Sequence, residues 1–385
     1  MTRLPYGRQC LDAADEAAVL RALRSAWLTQ GPGVEAFEEA LAEAVGARHA
    51  VAVSSGTAAL HLLYLALGVG PGDTVCTSPV TFLATANAAL YCGARPAFAD
   101  VDPETACLDP EALEARLEAG LRPKVVAAVH YAGLPCDLAR LGALAERFGF
   151  VLVEDACHAL GARYRLDDAW GPVGDGRASR AAVFSFHPLK AVTTGEGGAV
   201  VTNDPELAER VRRLRAHGAV RGGDPERPWR YEMRELGFNY RITDLQCALG
   251  RSQLDKLASF VERRARLARL YRRALADLEA RDLLALPVEP PGRASAWHLF
   301  AVRLPRDRDR MHRELAARGI GTQVHYTPVH LQPYYRERFG TGAGDCPAAE
   351  RYAARTLSLP LFPAMGDRDV GRVVEALRAL LGGDP

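Results

Sequence analysis

The sequence predicts an α/β protein in which a large, mostly parallel sheet with helices on both faces is followed by a smaller C-terminal α/β domain. Between residues 49 and about 203, short β-branched runs alternate with longer amphipathic stretches, the pattern of strand–helix–strand units. Beyond residue 245 that alternation gives way to a long helical stretch, a Pro-rich break and a second, shorter set of strand and helix signals. The 385 residues are 48% hydrophobic and 25% charged, with 35 Gly and 24 Pro. That composition excludes collagen-like and disordered chains and supplies enough apolar surface for two domains.

The elements follow in order. A strand over 49–53 (His-Ala-Val-Ala-Val) runs into a helix over 57–67, punctuated by Gly68. The apolar run 74–78 is a second strand, and the alanine-rich stretch 81–91, closed by Gly93, is its helix. A strand over 95–100 leads to a helix over 110–119 that opens on Pro110 and stops before Gly120. The run 124–130 is a strand, and 138–148, ended by Gly149, a helix. Apolar runs at 150–154, 181–185 and 198–202 complete the expected sheet. Residues 243–281 carry apolar positions near helical spacing with arginines between, and read as a helix leaving the large domain. The expected boundary falls there, giving a large domain over 1–245 and a small one over 246–385. After the break at 286–292, a strand over 298–304 and helices near 307–318 and 367–381 make up the small domain. No internal repeat or low-complexity tract is visible.

Charge and cysteine usage narrow the functional classes. Lys and Arg number 48 against 47 Asp and Glu, a net charge of +1 without long like-charge blocks, so nucleic acid is not the expected partner. The eight cysteines are dispersed with no C-x-x-C pair, which suggests neither a zinc site nor a disulfide framework. The first twenty residues lack the apolar core of a signal segment, and no apolar run approaches the ~18 residues of a membrane span. A reducing, cytoplasmic setting with no membrane partner is expected.

Only Lys124, Lys190 and Lys256 are lysines, against 45 arginines. Lys190 falls in a loop just after a strand, ahead of the turn Gly195-Glu196-Gly197-Gly198. Strand-end loops of open α/β sheets aim side chains into the ligand crevice, so Lys190 reads as a Schiff-base lysine or else as a solvated loop charge. Ser54-Ser55-Gly56-Thr57 ends a strand and opens a helix, where free N–H groups and the helix dipole favour a phosphate; the plainer reading is an N-cap. Asp155 and His158 follow the strand 150–154. A strand-end Asp suits the protonated ring nitrogen of pyridoxal phosphate, or simply caps a turn; a lone histidine there is usually structural. Singly weak, the phosphate cradle, the Asp and the Lys occur in that order in one α/β domain, and together they point to pyridoxal phosphate.

The chain resembles the DegT/DnrJ/EryC1/StrS family of sugar aminotransferases, a branch of the fold-type I pyridoxal-phosphate enzymes. The motifs carrying the resemblance are Thr29-Gln30-Gly31-Pro32, Ser55-Gly56-Thr57, Glu154-Asp155-Ala156-Cys157-His158, Ser185-Phe186-His187-Pro188-Leu189-Lys190, Thr194-Gly195-Glu196-Gly197-Gly198 and Gly237-Phe238-Asn239-Tyr240-Arg241. The resemblance implies an aspartate aminotransferase-like fold, with Lys190 as covalent anchor and proton carrier, Asp155 on the pyridinium nitrogen and His158 by the phenolic oxygen. It implies further that Ser55, Gly56, Thr57 and Ser185 hold the phosphate and that Phe82 stacks on the ring, although an aromatic there is usually core. Asn239 would reach the phosphate of a neighbouring subunit, making a homodimer with active sites at its interface. Lys190 itself separates the chain from a related dehydratase branch that has His in its place.

The segment 321–335 is rich in aromatic and hydrogen-bonding side chains, and His325, Tyr326 and His330 are expected to line a sugar pocket; the alternative is a surface loop. The two histidines lack the neighbours of a metal site, and none is expected. The pairing of this segment with 186–197 is most similar to the branch that aminates a UDP-linked 4-keto-6-deoxy sugar for pseudaminic acid. The expected reaction moves an amino group from L-glutamate to a nucleotide-linked keto sugar. Other dTDP-, GDP- or UDP-sugar aminotransferases, a non-catalytic pyridoxal-phosphate-binding regulator, a dehydratase and a desulfurase are the rival readings.

Overall fold

The structure, a computed structural model, describes residues 3–221 and 226–382. Its strands are β1 (His49–Val53), β2 (Thr74–Thr77), β3 (Arg95–Phe98), β4 (Val125–Val129), β5 (Val151–Asp155), β6 (Arg163–Leu166), β7 (Ala169–Pro172), β8 (Ala181–Ser185), β9 (Gly198–Thr202), β10 (Ala219–Arg221), β11 (Tyr231–Met233), β12 (Arg293–Ala294), β13 (Phe300–Arg303) and β14 (Thr356–Leu359). Seven form the central sheet in the order β1-β9-β8-β5-β4-β2-β3. Only β9 runs against the others, pairing antiparallel with both β1 and β8, while the remaining pairs are parallel. Every side chain of β4 and β9 is buried, as expected for strands covered on both faces.

All seven expected sheet strands are present, with ends shifted by at most two residues. The most useful shift is at β5, which extends to Asp155 and so makes that carboxylate the last residue of the strand. The helix expected over 81–91 begins only at Ala84, because Thr81 and Phe82 form an irregular turn at the strand end. The stretch 243–281 is two helices, Asp244–Leu254 and Leu257–Ala280. The interruption is at Asp255-Lys256, where Lys256 Nζ is drawn to Asp15 Oδ2 at 2.6 Å and Asp12 Oδ1 at 2.8 Å. Both carboxylates belong to the start of the helix Ala13–Leu23, so the break docks the N-terminal segment.

The antiparallel pair β13–β14 packs with the helices Leu257–Ala280, Arg308–Ala317 and Asp367–Leu381 around Leu267, Tyr271, Phe300, Leu357 and Val373. Leu4 joins this core, with its amide bonded to the Gly319 carbonyl. The hairpins β6–β7 and β10–β11 carry no apolar run, which explains their absence from the sequence-based expectations. Among the described residues, no helix is long and apolar enough to cross a membrane, and no cluster of His, Cys, Asp and Glu has the arrangement of a metal site.

Candidate active site

The parallel strands β1, β5 and β8 end on one side of the sheet, and the antiparallel β9 begins there. A cavity of about 560 Å³ opens at this edge, within the range of small-ligand sites. Ser55, Gly56, Thr57, Phe82, Asp155, His158, Ser185, Lys190, His325 and Tyr326 all line it. Residues separated by up to 271 positions, Ser55 to Tyr326, are thus gathered because their strands end together and one C-terminal segment folds across them.

After β1, Ser55 caps the helix Gly56–Ala66, its hydroxyl accepting from the Ala58 amide at 3.1 Å. The cap and anion-cradle readings coexist, since the first amides of a helix precede its internal hydrogen bonds. Gly56 is required by close approach: a Cβ there would lie 3.0 Å from Ser185 Cβ and 3.3 Å from Cys157 Sγ. At Gly198 the requirement is stricter, because a Cβ would collide with the Ser55 carbonyl at 2.5 Å. These glycines keep backbone N–H groups and the Ser185 hydroxyl clustered around space suited to a phosphate.

Asp155 is 5% exposed. Its Oδ2 accepts from Thr85 Oγ1 at 2.7 Å and its Oδ1 from the Cys157 amide at 3.2 Å. Strand alternation sends its neighbour Glu154 to the other face, where it meets His130 Nε2 at 2.7 Å and the Ser179 hydroxyl at 2.5 Å. Of the two carboxylates, only Asp155 therefore faces the cavity. Burial pulls Lys190 below the ordinary lysine range, with Cys157 and Asp155 acting in the opposite direction, so more of it is free amine near neutrality than for an exposed lysine. No other lysine is near: Lys124 pairs with Asp73 at 2.9 Å and Lys256 with Asp12 and Asp15.

His158 is buried, with Nε2 3.1 Å from the Tyr326 hydroxyl and no partner for Nδ1. With the tyrosine donating to Nε2, the imidazole proton sits on Nδ1, an unused donor at the cavity wall. Phe82 is 59% exposed at the cavity, 6.3 Å from the Tyr326 ring centroid, so the core reading of this aromatic is excluded. His325 bonds through Nδ1 to Ser358 Oγ of β14 at 2.9 Å, and its carbonyl accepts from Tyr131 at 2.7 Å. Those two anchors bring the segment from the small sheet onto the cavity, which excludes the surface-loop reading for His325 and Tyr326.

His330 is a correction. Its ring is fully buried, Nε2 lies 3.0 Å from Glu350 Oε1, and it packs beside Phe98 outside the cavity. Its carboxylate partner lies 20 residues on and keeps it in the protein interior. Asn239 is exposed and does not line the cavity of its own chain. Sequence reasoning missed Thr85, Tyr6 and His298, all cavity-lining. The His298 ring lies 4.3 Å from that of His158, tilted by 41°, and its place at the start of the strand expected over 298–304 was the available signal.

The fit to pyridoxal phosphate is good: a glycine-kept anion cradle, a carboxylate facing the same cavity, an unpartnered buried imidazole nitrogen and one lysine. A desulfurase fits worse, because burial pushes the Cys157 thiol well up and Cys346 up to about 12, where thiolate is scarce.

Three imidazoles around Lys190 are held neutral. Burial and then Lys190 pull His325 down to about 3. His158 and His298 are also pulled well below their ordinary value, by burial first. The unfolded chain takes up protons on these rings below about pH 6.5 while the folded chain does not. Stability is accordingly full above that pH and falls as pH drops toward 3, by up to about 1.4 kcal/mol per pH unit for each ring. Urea unfolding at about pH 7 and pH 5 is expected to show this loss, and His325→Gln to make it smaller. A pH slope unchanged by that substitution would contradict the assignment.

A model of the DegT/DnrJ/EryC1/StrS aminotransferase family matches residues 9–378. The chain is 40% identical to the spore coat polysaccharide biosynthesis protein SpsC of Bacillus subtilis (strain 168), over 99% of this chain and 97% of that protein. Among solved structures it is similar to Helicobacter pylori PseC, an aminotransferase of pseudaminic acid biosynthesis, with a TM-score of 0.91 and 32% identity over 99% of this chain and 100% of that one. It is also similar to S. venezuelae DesV in complex with a ketimine intermediate, with a TM-score of 0.89 and 38% identity over 99% of each chain.

Proposed function

Because the chain belongs to the DegT/DnrJ/EryC1/StrS aminotransferase family, we propose that it is a pyridoxal-phosphate enzyme moving an amino group from L-glutamate to a nucleotide-linked 4-keto-6-deoxy sugar. The substrate favoured by the motif pairing makes it a UDP-4-amino-4,6-dideoxy-N-acetyl-β-L-altrosamine transaminase of pseudaminic acid biosynthesis. The observation that carries the reading is a single half-buried lysine, Lys190, in one cavity with Asp155 and the cradle at Ser55–Thr57. Similarity to PseC supports the choice of sugar.

Bound there, pyridoxal phosphate supplies an aldehyde that condenses with amines and a ring that accepts the electron pair left when a carbon beside nitrogen loses its proton. The chain does the rest. Lys190 Nζ would be the amine that holds the aldehyde, and once freed by the donor amine it would serve as the base that takes up and gives back the migrating proton. In the second half, with the keto sugar, it runs the same transfer in reverse. Asp155 keeps a negative charge against the ring nitrogen. The Gly56 and Thr57 amides, with the Ser55 and Ser185 hydroxyls, hold the phosphate. Phe82 would cover the ring, His158 would offer its free Nδ1 to the phenolic oxygen, and His325 with Tyr326 would border the sugar.

The proposed assembly is a homodimer with shared sites, each chain divided into domains over 1–245 and 246–385. Two features support sharing. Leu20, Leu23, Trp27, Trp229, Tyr231, Met233 and Leu236 are large apolar residues left exposed, more than an isolated chain needs. Lys190 is the only lysine or arginine among the described cavity-lining residues, too little positive charge for a phosphate and a dicarboxylate donor. Asn239, exposed beside the β10–β11 hairpin, is assigned to the partner's phosphate.

The test is spectroscopic. L-Glutamate is expected to bleach the visible band of the cofactor-loaded protein, and a UDP-linked 4-keto-6-deoxy-N-acetylhexosamine to restore it with formation of an amino-sugar nucleotide. Bleaching without restoration would discard this sugar and turn attention to other nucleotide-linked keto sugars. A band indifferent to glutamate and to every other amino donor would favour a cofactor-binding regulator.

A further inference from the structure

We propose that Thr85, backed by Thr81, is a positioning residue that fixes the orientation of the Asp155 carboxylate; the inference rests on Asp155 serving the cofactor's ring nitrogen. Thr85 lies in the first turn of the helix Ala84–Tyr91 and is 1% exposed. Its hydroxyl has three neighbours: Asp155 Oδ2 at 2.7 Å, Thr81 Oγ1 at 2.8 Å and the Phe82 carbonyl at 3.4 Å. It has one proton to give. The short contact to the carboxylate takes it, which leaves Thr81 as donor to Thr85 Oγ1. A two-hydroxyl relay therefore ends on Asp155.

The relay has a geometric and an electrostatic effect. With Thr85 on Oδ2 and the Cys157 amide on Oδ1, each carboxylate oxygen holds one fixed donor, so the group cannot rotate without losing both bonds. Both are also hydrogen bonds to a carboxylate, roughly twice as strong as those between neutral groups. The segment is itself braced, because the Thr85 carbonyl accepts from the Tyr64 hydroxyl at 3.2 Å. Tyr64 lies on the helix Gly56–Ala66, whose first turn is the anion cradle. Residues 81–85 thus tie together the ring cover Phe82, the carboxylate and the cradle.

Thr85→Val keeps the side-chain shape and removes the donor; Thr85→Ser restores it. In the cofactor-loaded protein, T85V is expected to slow the glutamate half-reaction about tenfold to a hundredfold, the effect of losing a hydrogen bond to a charged group. KM for glutamate should stay within about threefold of the wild type, since the change acts on the reacting step rather than on donor binding. The pH midpoint of the visible band should move by about 1, a readout that a purely structural hydroxyl would leave alone. T85S should return both quantities to near wild type, and Thr81→Val should shift them in the same direction by less.

A folded T85V with wild-type rate and midpoint, alongside an Asp155→Asn protein that is strongly impaired, would overturn the role of Thr85 and leave that of Asp155 standing. Wild-type behaviour in both variants would remove the reading on which the inference rests. Should T85V not fold, T81V decides: a wild-type rate and midpoint there overturns the relay.

Discussion

Lys190→Ala will fold and will not turn over repeatedly. The loss expected in steady state with glutamate and the keto sugar is at least about 10³-fold, since the substitution removes both the covalent anchor and the general base. No other amine can substitute. The chain has two further lysines, and both are held in ion pairs with Asp73 or with Asp12 and Asp15. Borohydride treatment of the loaded wild type followed by peptide mapping should place the trapped adduct at residue 190, and the variant should give none. Added small amines should recover part of the half-reaction in K190A, as expected for a base that is missing rather than a fold that is broken. Repeated turnover by K190A would end the proposed mechanism.

Asp155→Asn carries the second largest effect. The side chain keeps its shape and loses its charge in a site where water is scarce, which makes the charge count for more than at the surface. The half-reaction with glutamate should slow by about 10²- to 10³-fold, the scale of removing a preorganised electrostatic partner of a developing charge. A second consequence separates charge from packing. Asp155 is one of the two groups that raise the Lys190 pKa against burial, so in D155N the lysine should lie lower still and the pH profile of its reaction with the aldehyde should move to lower pH. Rapid-mixing spectroscopy across pH measures both quantities. A half-reaction within about tenfold of wild type would contradict the role of the carboxylate.

What the sequence disclosed, and what it withheld, follows from how local each signal is. The seven sheet strands were legible because each is a short apolar run bounded by turn residues, and inner strands such as β4 and β9, buried on both faces, have no polar alternation to confuse them. Lys190, Asp155 and Ser55–Thr57 were legible as residues at strand ends, where the fold puts chemistry. Thr85 was not, because nothing within the stretch 81–91 marks one threonine among alanines as the partner of a carboxylate 70 positions away. His325 and His330 look alike in sequence, yet Ser358 draws the first to the cavity and Glu350 keeps the second in the interior. The hairpins β6–β7 and β10–β11 were hidden for a different reason, since strands of three or four residues that mix charged side chains, glycine or proline with isolated apolar ones have no hydrophobic period to detect.

The place of β1 in the sheet governs the order in which the protein is finished during synthesis. At the end of the strand order, β1 has β9 as its sheet neighbour, in a register that joins His49 to Thr202 and Val53 to Gly198. The following amide, that of Ser54, waits longer still, for the Tyr240 carbonyl. At ribosomal speeds of about 5–20 residues per second, the interval between β1 and β9 is roughly 7–30 s. For that time a strand of sequence His-Ala-Val-Ala-Val is made but unpaired, an apolar edge open to other nascent chains. The anion cradle, although encoded first, closes only after the lysine loop has been made, so a chain stalled before residue 198 exposes a sticky strand and holds no cofactor.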